Sequence, residues 1–175
     1  MLAHDMGPRE AVIRQQVWIL KRDMQISLES PDQPDVMLLI EALDAYQKPL
    51  YPADSHHGLD LSAMCEKNVL FAVARDDNRQ SVACGAVVLE SGYGELKRMY
   101  TSPAERGKGI GRSLLIFLET QARERGYSEF ALETGYLQPE AIALYARCGY
   151  ARCGPFGAYA EDPNSVFMRK RELLR

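Results

Sequence analysis

The chain has no CxxC pair, no long apolar run and no surplus of positive charge. Its four cysteines, at 65, 84, 148 and 153, are scattered, and only three histidines occur in 175 residues. No Cys/His spacing of a zinc site results, so no metal centre is expected. The thiols read as reduced side chains of a cytoplasmic protein, partly in the core. No stretch approaches the ~20 apolar residues of a membrane span. Val17-Trp18-Ile19-Leu20 is too short for the apolar part of a signal peptide and runs into Lys21-Arg22. A net charge of -3 gives no reason to expect nucleic-acid binding, and the basic run Arg169-Lys170-Arg171 is short enough to be a solvated end. Repeats and low-complexity linkers are absent. What remains is an ordinary globular composition, 46% hydrophobic and 26% charged, at a length that suits one domain with a substantial core.

What the chain does have is the octapeptide Arg106-Gly107-Lys108-Gly109-Ile110-Gly111-Arg112-Ser113, with three glycines and three cations. It follows an expected strand and runs into a strongly apolar helix. A glycine-rich turn at a helix start aims backbone N–H groups at an anion, and the helix dipole adds roughly half a positive charge there. The ligand implied is a phosphate or pyrophosphate. A Walker loop is excluded, because Gly107-Lys108 is followed by Gly109 rather than Ser or Thr. The dinucleotide fingerprint GxGxxG fails too, since the third glycine falls at 111, one residue early.

Apolar periodicity and turn residues organise the rest. Residues 9 to 21 are expected as a short helix, with 1–22 an N-terminal extension that packs on the domain or on a second subunit of a homodimer. The remainder, 23–175, reads as one domain. Gln25 to Leu28 is a strand; Val36, Leu39, Ile40, Leu43 and Tyr46 mark a helix ended by Pro49 and Pro52. A short helix is expected near Leu61 to Lys67. Val69 to Ala74 and Val82 to Leu89 form a hairpin around Asp76-Asp77-Asn78, and Glu95 to Thr101 is the next strand. Gly109 to Arg125 is a helix stopped by Gly126, Phe130 to Thr134 a strand, and Pro139 to Cys148 a helix ended by Gly149. Tyr150 to Cys153 and Val166 to Lys170 close the series. The order β-α-α-β-β-β-α-β-α-β-β is that of a mixed α/β domain, antiparallel hairpins first and then one parallel crossover.

Three segments resemble the GNAT family of N-acetyltransferases. They are Glu95-Leu96-Lys97-Arg98-Met99-Tyr100-Thr101 with Pro103, the Arg106-x-x-Gly109-x-Gly111 loop, and Gln138-Pro139-Glu140-Ala141-Ile142-Ala143-Leu144-Tyr145 followed by Cys148-Gly149-Tyr150. In the last, Gln138 stands where many members have Asn. The resemblance spans about residues 24 to 170. It implies the GNAT (acyl-CoA N-acyltransferase) fold, a mixed, mostly antiparallel sheet with one splayed parallel strand pair. It also implies acetyl-CoA as acetyl donor. Arg106, Gly107, Lys108, Gly109, Ile110, Gly111, Arg112 and Ser113 would bind the pyrophosphate. Met99, Tyr100 and Thr101 would pair with the pantetheine arm, and Gln138 would contact the cofactor. A backbone N–H at Met99 or Tyr100 would hold the oxyanion. Tyr145, beside the cofactor, would protonate the leaving thiolate.

A free alkylamine is mostly protonated at pH 7, so a base must take its proton. Glu95 and Glu133 are the two candidates, Glu95 because it lies on the central strand and Glu133 because it ends the next one. Simple alternation puts Glu95, Lys97 and Met99 on one face unless a bulge intervenes. Tyr51, His56, His57 and Glu133 are candidates for the acceptor pocket. Adjacent histidines on an extended segment cannot both face one site, so one of the pair is expected there. Asp60 lies in the same segment. Lys97 and Arg98 are expected to contact cofactor phosphate or solvent, with recognition of a substrate carboxylate as the alternative. The expected activity is N-acetylation of a small-molecule primary amine. A protein amine, or acyl-CoA binding without turnover, are the rival readings. No nucleic-acid or membrane partner is expected.

Overall fold

The computed structural model describes residues 18–19 and 24–171. Its strands are β1 (Trp18–Ile19), β2 (Gln25–Leu28), β3 (Val69–Arg75), β4 (Ser81–Leu89), β5 (Gly94–Thr101), β6 (Glu129–Gly135), β7 (Ala151–Arg152) and β8 (Ser165–Arg171). Its helices are α1 (Pro34–Gln47), α2 (Leu61–Met64), α3 (Ile110–Arg123) and α4 (Pro139–Arg147). The strands form one sheet in the order β1-β2-β3-β4-β5-β6-β8-β7. Every neighbouring pair is antiparallel except β5 and β6, which α3 joins as a parallel crossover. Most of the helix expected over residues 9 to 21 lies outside the described residues. Trp18 and Ile19 do not follow it: they are extended and pair with Ile26 and Gln25. Backbone pairing to an open sheet edge outweighs a weak helical periodicity.

β3 and β4 are buried on both faces, which explains their nearly unbroken apolar sequence. Leu70, Ala72 and Ala74 point to the α3 layer, Phe71 and Val73 to the α1 layer. Helix α3 buries Ile110, Leu114, Phe117, Leu118 and Gln121 at 3.6-residue spacing. Val36, Leu39, Ile40 and Leu43 of α1 cover the opposite face. Burial of such side chains stabilises by about 1.5–3 kcal/mol each. Glu119 joins Gln121 as a buried polar residue of α3. It is 1% exposed, yet accepts from the Tyr150 hydroxyl at 2.7 Å and pairs with Arg123 and Lys170 at 2.7 and 2.8 Å. This network ties α3 to the end of α4 and to β8.

Candidate active site

Strands β5 and β6 pair at Gly94↔Phe130, Glu95↔Ala131 and Leu96↔Leu132, and then part. Both run on beyond that point, to Thr101 and Gly135, so a gap opens between them. A bulge in β5 turns it away. The β4 ladder pairs Ala86 with Lys97 but Cys84 with Tyr100, so Arg98 and Met99 together oppose Gly85. Arg98 adopts φ +57, in the left-handed region, and an extra residue of this kind bends its strand. Gly85 makes the bulge possible, because a Cβ there would lie 2.4 Å from Met99 Sδ. The bulge also corrects the simple alternation. Met99 packs on the α3 face beside Leu114 and Leu118, away from Glu95 and Lys97.

A cavity of about 550 Å³ occupies the gap. Leu96, Lys97, Arg98 and Met99 line it from β5, and Glu133, Thr134 and Gly135 from β6. Gln138 and Tyr145 close it on the α4 side; Tyr51, Ser55, His56 and His57 contribute from the segment after α1. Of the two expected bases, Glu133 reaches this cavity. Burial pushes its carboxyl above the usual carboxylate range, although Ser165 Oγ donates to it at 2.6 Å. Glu95 is not among the lining residues. It is 6% exposed, accepts from the Tyr159 hydroxyl at 2.6 Å and pairs with Lys97 at 2.9 Å.

Tyr145 is 7% exposed, and its ring meets Tyr150 edge-on at 5.9 Å. Its hydroxyl makes no hydrogen bond to a described residue. Burial raises the phenol pKa, with Cys148 and Glu133 adding to the shift, so the proton is held at neutral pH. Tyr51 accepts from the Leu137 N–H at 3.1 Å, and the hydroxyl end of its ring lies against Gly135. Gln138 takes the position before the first turn of α4. Both histidines line the cavity, contrary to the expectation of one. His56 Nε2 lies 3.0 Å from Tyr51 O; His57 Nε2 is 3.7 Å from Asp162 and its ring packs on Tyr159. Asp60 serves elsewhere, capping α2 by accepting from the Ala63 N–H at 2.8 Å.

The glycine loop enters α3 beside the same end of β5. Gly107 and Gly109 have φ +75 and +83, and a Cβ on either would meet only open space. The Arg106 N–H bonds Pro103 O and the Ser113 N–H bonds Gly109 O; between them, no described backbone carbonyl accepts from the loop. These open N–H groups at a helix start suit a pyrophosphate. Ile110 is buried and anchors the turn, while Gly107, Lys108 and Arg112 are exposed. Lys108 pairs with Glu105 at 2.9 Å. The Arg106 guanidinium turns back between the Tyr46 and Tyr100 rings, and its Nε donates to Thr101 O at 3.1 Å.

Of the two placements expected for Lys97 and Arg98, cofactor phosphate or solvent, solvent exposure does not hold: their side chains are 17% and 9% exposed. The bulge turns Arg98 inward beside Lys97. Sequence reasoning passed over Gly85 and Gly135; Lys48, Ser55 and Asn164 fall in the two segments expected to form the acceptor pocket, about residues 46–66 and Phe156 to Asn164, without being singled out. Gly85 carried a signal, as an isolated glycine within an apolar strand pattern. Among the described residues no helix is long and apolar enough to cross a membrane.

Residues 39–150 match the acetyltransferase (GNAT) family. The chain belongs to the GNAT family. It is 48% identical to the IAA acetyltransferase of Azospirillum brasilense over 85% of this chain and 97% of that protein. It is 37% identical to the uncharacterized N-acetyltransferase YsnE of Bacillus subtilis, over 69% of this chain and 81% of YsnE. A crystal structure from Klebsiella pneumoniae, assigned as an acyl-CoA N-acyltransferase, superposes with a TM-score of 0.77 at 39% identity, covering 86% of this chain and 99% of that one. The PaiA N-acetyltransferase of Thermoplasma acidophilum in complex with coenzyme A shares the fold at 16% identity, with a TM-score of 0.66 over 85% of this chain and 99% of that one. The GNAT fold expected from the sequence is therefore the observed one, and the protein is an N-acetyltransferase.

Proposed function

We propose that the protein moves the acetyl group of acetyl-CoA to the primary amine of a small molecule, with Glu133 as general base and Tyr145 as general acid. The observation that carries this reading is the single cavity in the β5–β6 gap, lined by both side chains. Acetyl-CoA supplies the acetyl group as a thioester. The open N–H groups from Gly107 to Arg112 suit its pyrophosphate, and the freed edge of β5 at Met99 to Thr101 suits the pantetheine arm. A GNAT neighbour with bound coenzyme A is consistent with this donor.

As the amine nitrogen bonds to the acetyl carbon and the C–S bond breaks, the amine proton goes to Glu133 and the sulfur takes a proton from Tyr145. Burial favours the base, bringing the Glu133 pKa closer to that of the amine; the Tyr145 hydroxyl stays protonated at neutral pH and is the proton donor beside it. Glu95 suits a framework role better, since Tyr159 and Lys97 already bind it away from the cavity. A cavity of about 550 Å³ lies within the size range of small-molecule sites.

The test is a thiol-release assay with acetyl-CoA and an amine panel. Tyr145→Phe is expected to lower turnover at least ~10-fold while calorimetry shows unchanged acetyl-CoA affinity. An unchanged turnover number would reduce Tyr145 to a packing residue. Tight acetyl-CoA binding by the unmodified protein with no release from any amine would favour a sensor.

A further inference from the structure

We infer that the acceptor bears a carboxylate as well as its amine, and that Arg98 binds that carboxylate. The inference rests on reading the β5–β6 cavity as the acceptor site. Two neighbouring cations line it, and their free hydrogen-bonding capacity tells them apart. The Lys97 ammonium reaches Glu95 at 2.9 Å, the Tyr159 hydroxyl at 2.6 Å and His57 O at 3.2 Å. An ammonium has three donors, so Lys97 is saturated. The Arg98 guanidinium has five. Its Nε donates to Leu59 O at 2.7 Å, Nη2 donates to the same oxygen, and Nη1 pairs with Asp44. Two N–H donors therefore remain without a partner among the described residues.

Those donors are held in a fixed orientation. The bulge sends Arg98 into the cavity wall, and a backbone carbonyl clamps one edge of the guanidinium. Gly58 lets the loop come this close, since a Cβ there would lie 3.0 Å from Nη2. A clamped, 9% exposed guanidinium loses little freedom on binding and is weakly screened by water. Asp44 neutralises part of its charge, but Lys48 lines the same wall and has no ion-pair partner among the described residues. Across the gap, on β6, stands Glu133. The cavity thus offers a carboxylate on one wall and cations on the other. An amino acid-type acceptor meets both, with its amine toward Glu133 and its carboxylate toward Arg98 and Lys48. A polycationic acceptor would meet Lys48 and Arg98 as repulsion.

The test compares α-amino acids with their neutral carboxamides in the thiol-release assay, with products confirmed by mass. The amine of each amide is the less basic, so a preference for the acid cannot arise from amine ionisation. The unmodified protein is expected to favour the acid by ~10–100-fold in kcat/KM. In Arg98→Gln the acid-to-amide ratio should fall toward one, whatever activity is lost on both substrates together. If that variant fails to fold, the ratio in the unmodified protein and its ~3–10-fold reduction in Lys48→Gln carry the test. Amides accepted as well as acids would overturn the inference and leave the acetyltransferase reading standing. An acid preference unchanged in Arg98→Gln would remove Arg98 from the role. Thiol release from neither member of any pair would sink the acceptor reading itself.

Discussion

Gly135 ends β6 where the Tyr51 ring crosses it. A Cβ added at Gly135 would lie 2.0 Å from Tyr51 Cζ and from its hydroxyl oxygen. Ordinary contacts begin near ~3.5 Å, so Gly135→Ala must push the ring or the strand end aside by more than ~1 Å. β6 is held on the other side by its ladder to β8, with Gly135 opposite Ser165, so the ring yields. The Tyr51 hydroxyl then loses its bond from the Leu137 N–H, which is 3.1 Å long. That bond is worth about 1 kcal/mol, and forced repacking costs about 1–3 kcal/mol. For a chain of this size each kcal/mol moves Tm by ~2–4 °C, so a drop of ~5–15 °C is expected in a thermal melt. Because Tyr51 lines the cavity, acceptor KM should rise, while acetyl-CoA affinity, which we propose resides in the separate glycine loop, should stay. A double-mutant cycle isolates the cause: in a Tyr51→Ala background the same Gly135→Ala change should cost under ~1 kcal/mol. An equal cost with and without Tyr51 would refute the argument, as would an unchanged Tm.

Other expectations concern the base and the loop. Glu133→Gln should lower turnover by ~100-fold or more and remove the acid limb of the pH profile. That limb should sit above the ordinary carboxylate range, because burial raises the Glu133 pKa and the base must be ionised to act. The same shift bears on stability. The folded state holds the proton more tightly than the unfolded one, so this group's contribution is full below the unfolded pKa and declines as pH rises through the folded one. Glu133→Gln should therefore melt higher than the unmodified protein at pH 7–8; an equal or lower Tm would contradict the burial argument. Gly109→Ala, which meets no atom but sits at φ +83, should cost about 1–2 kcal/mol of stability. Gly109→Glu should in addition abolish acetyl-CoA binding by calorimetry, since it brings a carboxylate to the phosphate site. Retained affinity there would show that the loop does not hold phosphate.

Much of the fold was legible before any coordinates, because its signals are local. Gly107 to Gly111 could be read as a glycine-rich turn into α3, Pro139 as the first residue of α4, and Asp76-Asp77-Asn78 as the turn between β3 and β4. Spacing alone removed a Walker loop and weakened a dinucleotide fingerprint, and three motifs in order pointed to the GNAT family that the comparisons then established. The candidate site was legible in kind but not in detail. Tyr145, Glu133, Tyr51, His56, His57 and Gln138 all converge on the cavity, whereas Glu95, equally acidic and on the central strand, does not. Its position turns on where β5 and β6 separate, one residue after the Glu95↔Ala131 pair, and strand periodicity carries no information about where two strands part. The bulge at Arg98 and Met99 is decided in the same way. It arises between β4 and β5 rather than within either, and it exchanges the faces of every residue beyond it. Local sequence therefore determined most of the elements, Trp18–Ile19 excepted, and the glycine loop, whose residues are contiguous. Tertiary structure decided which carboxylate, which tyrosine and which cation share the cavity, because those groups meet only when strands and loops far apart in the chain are brought together.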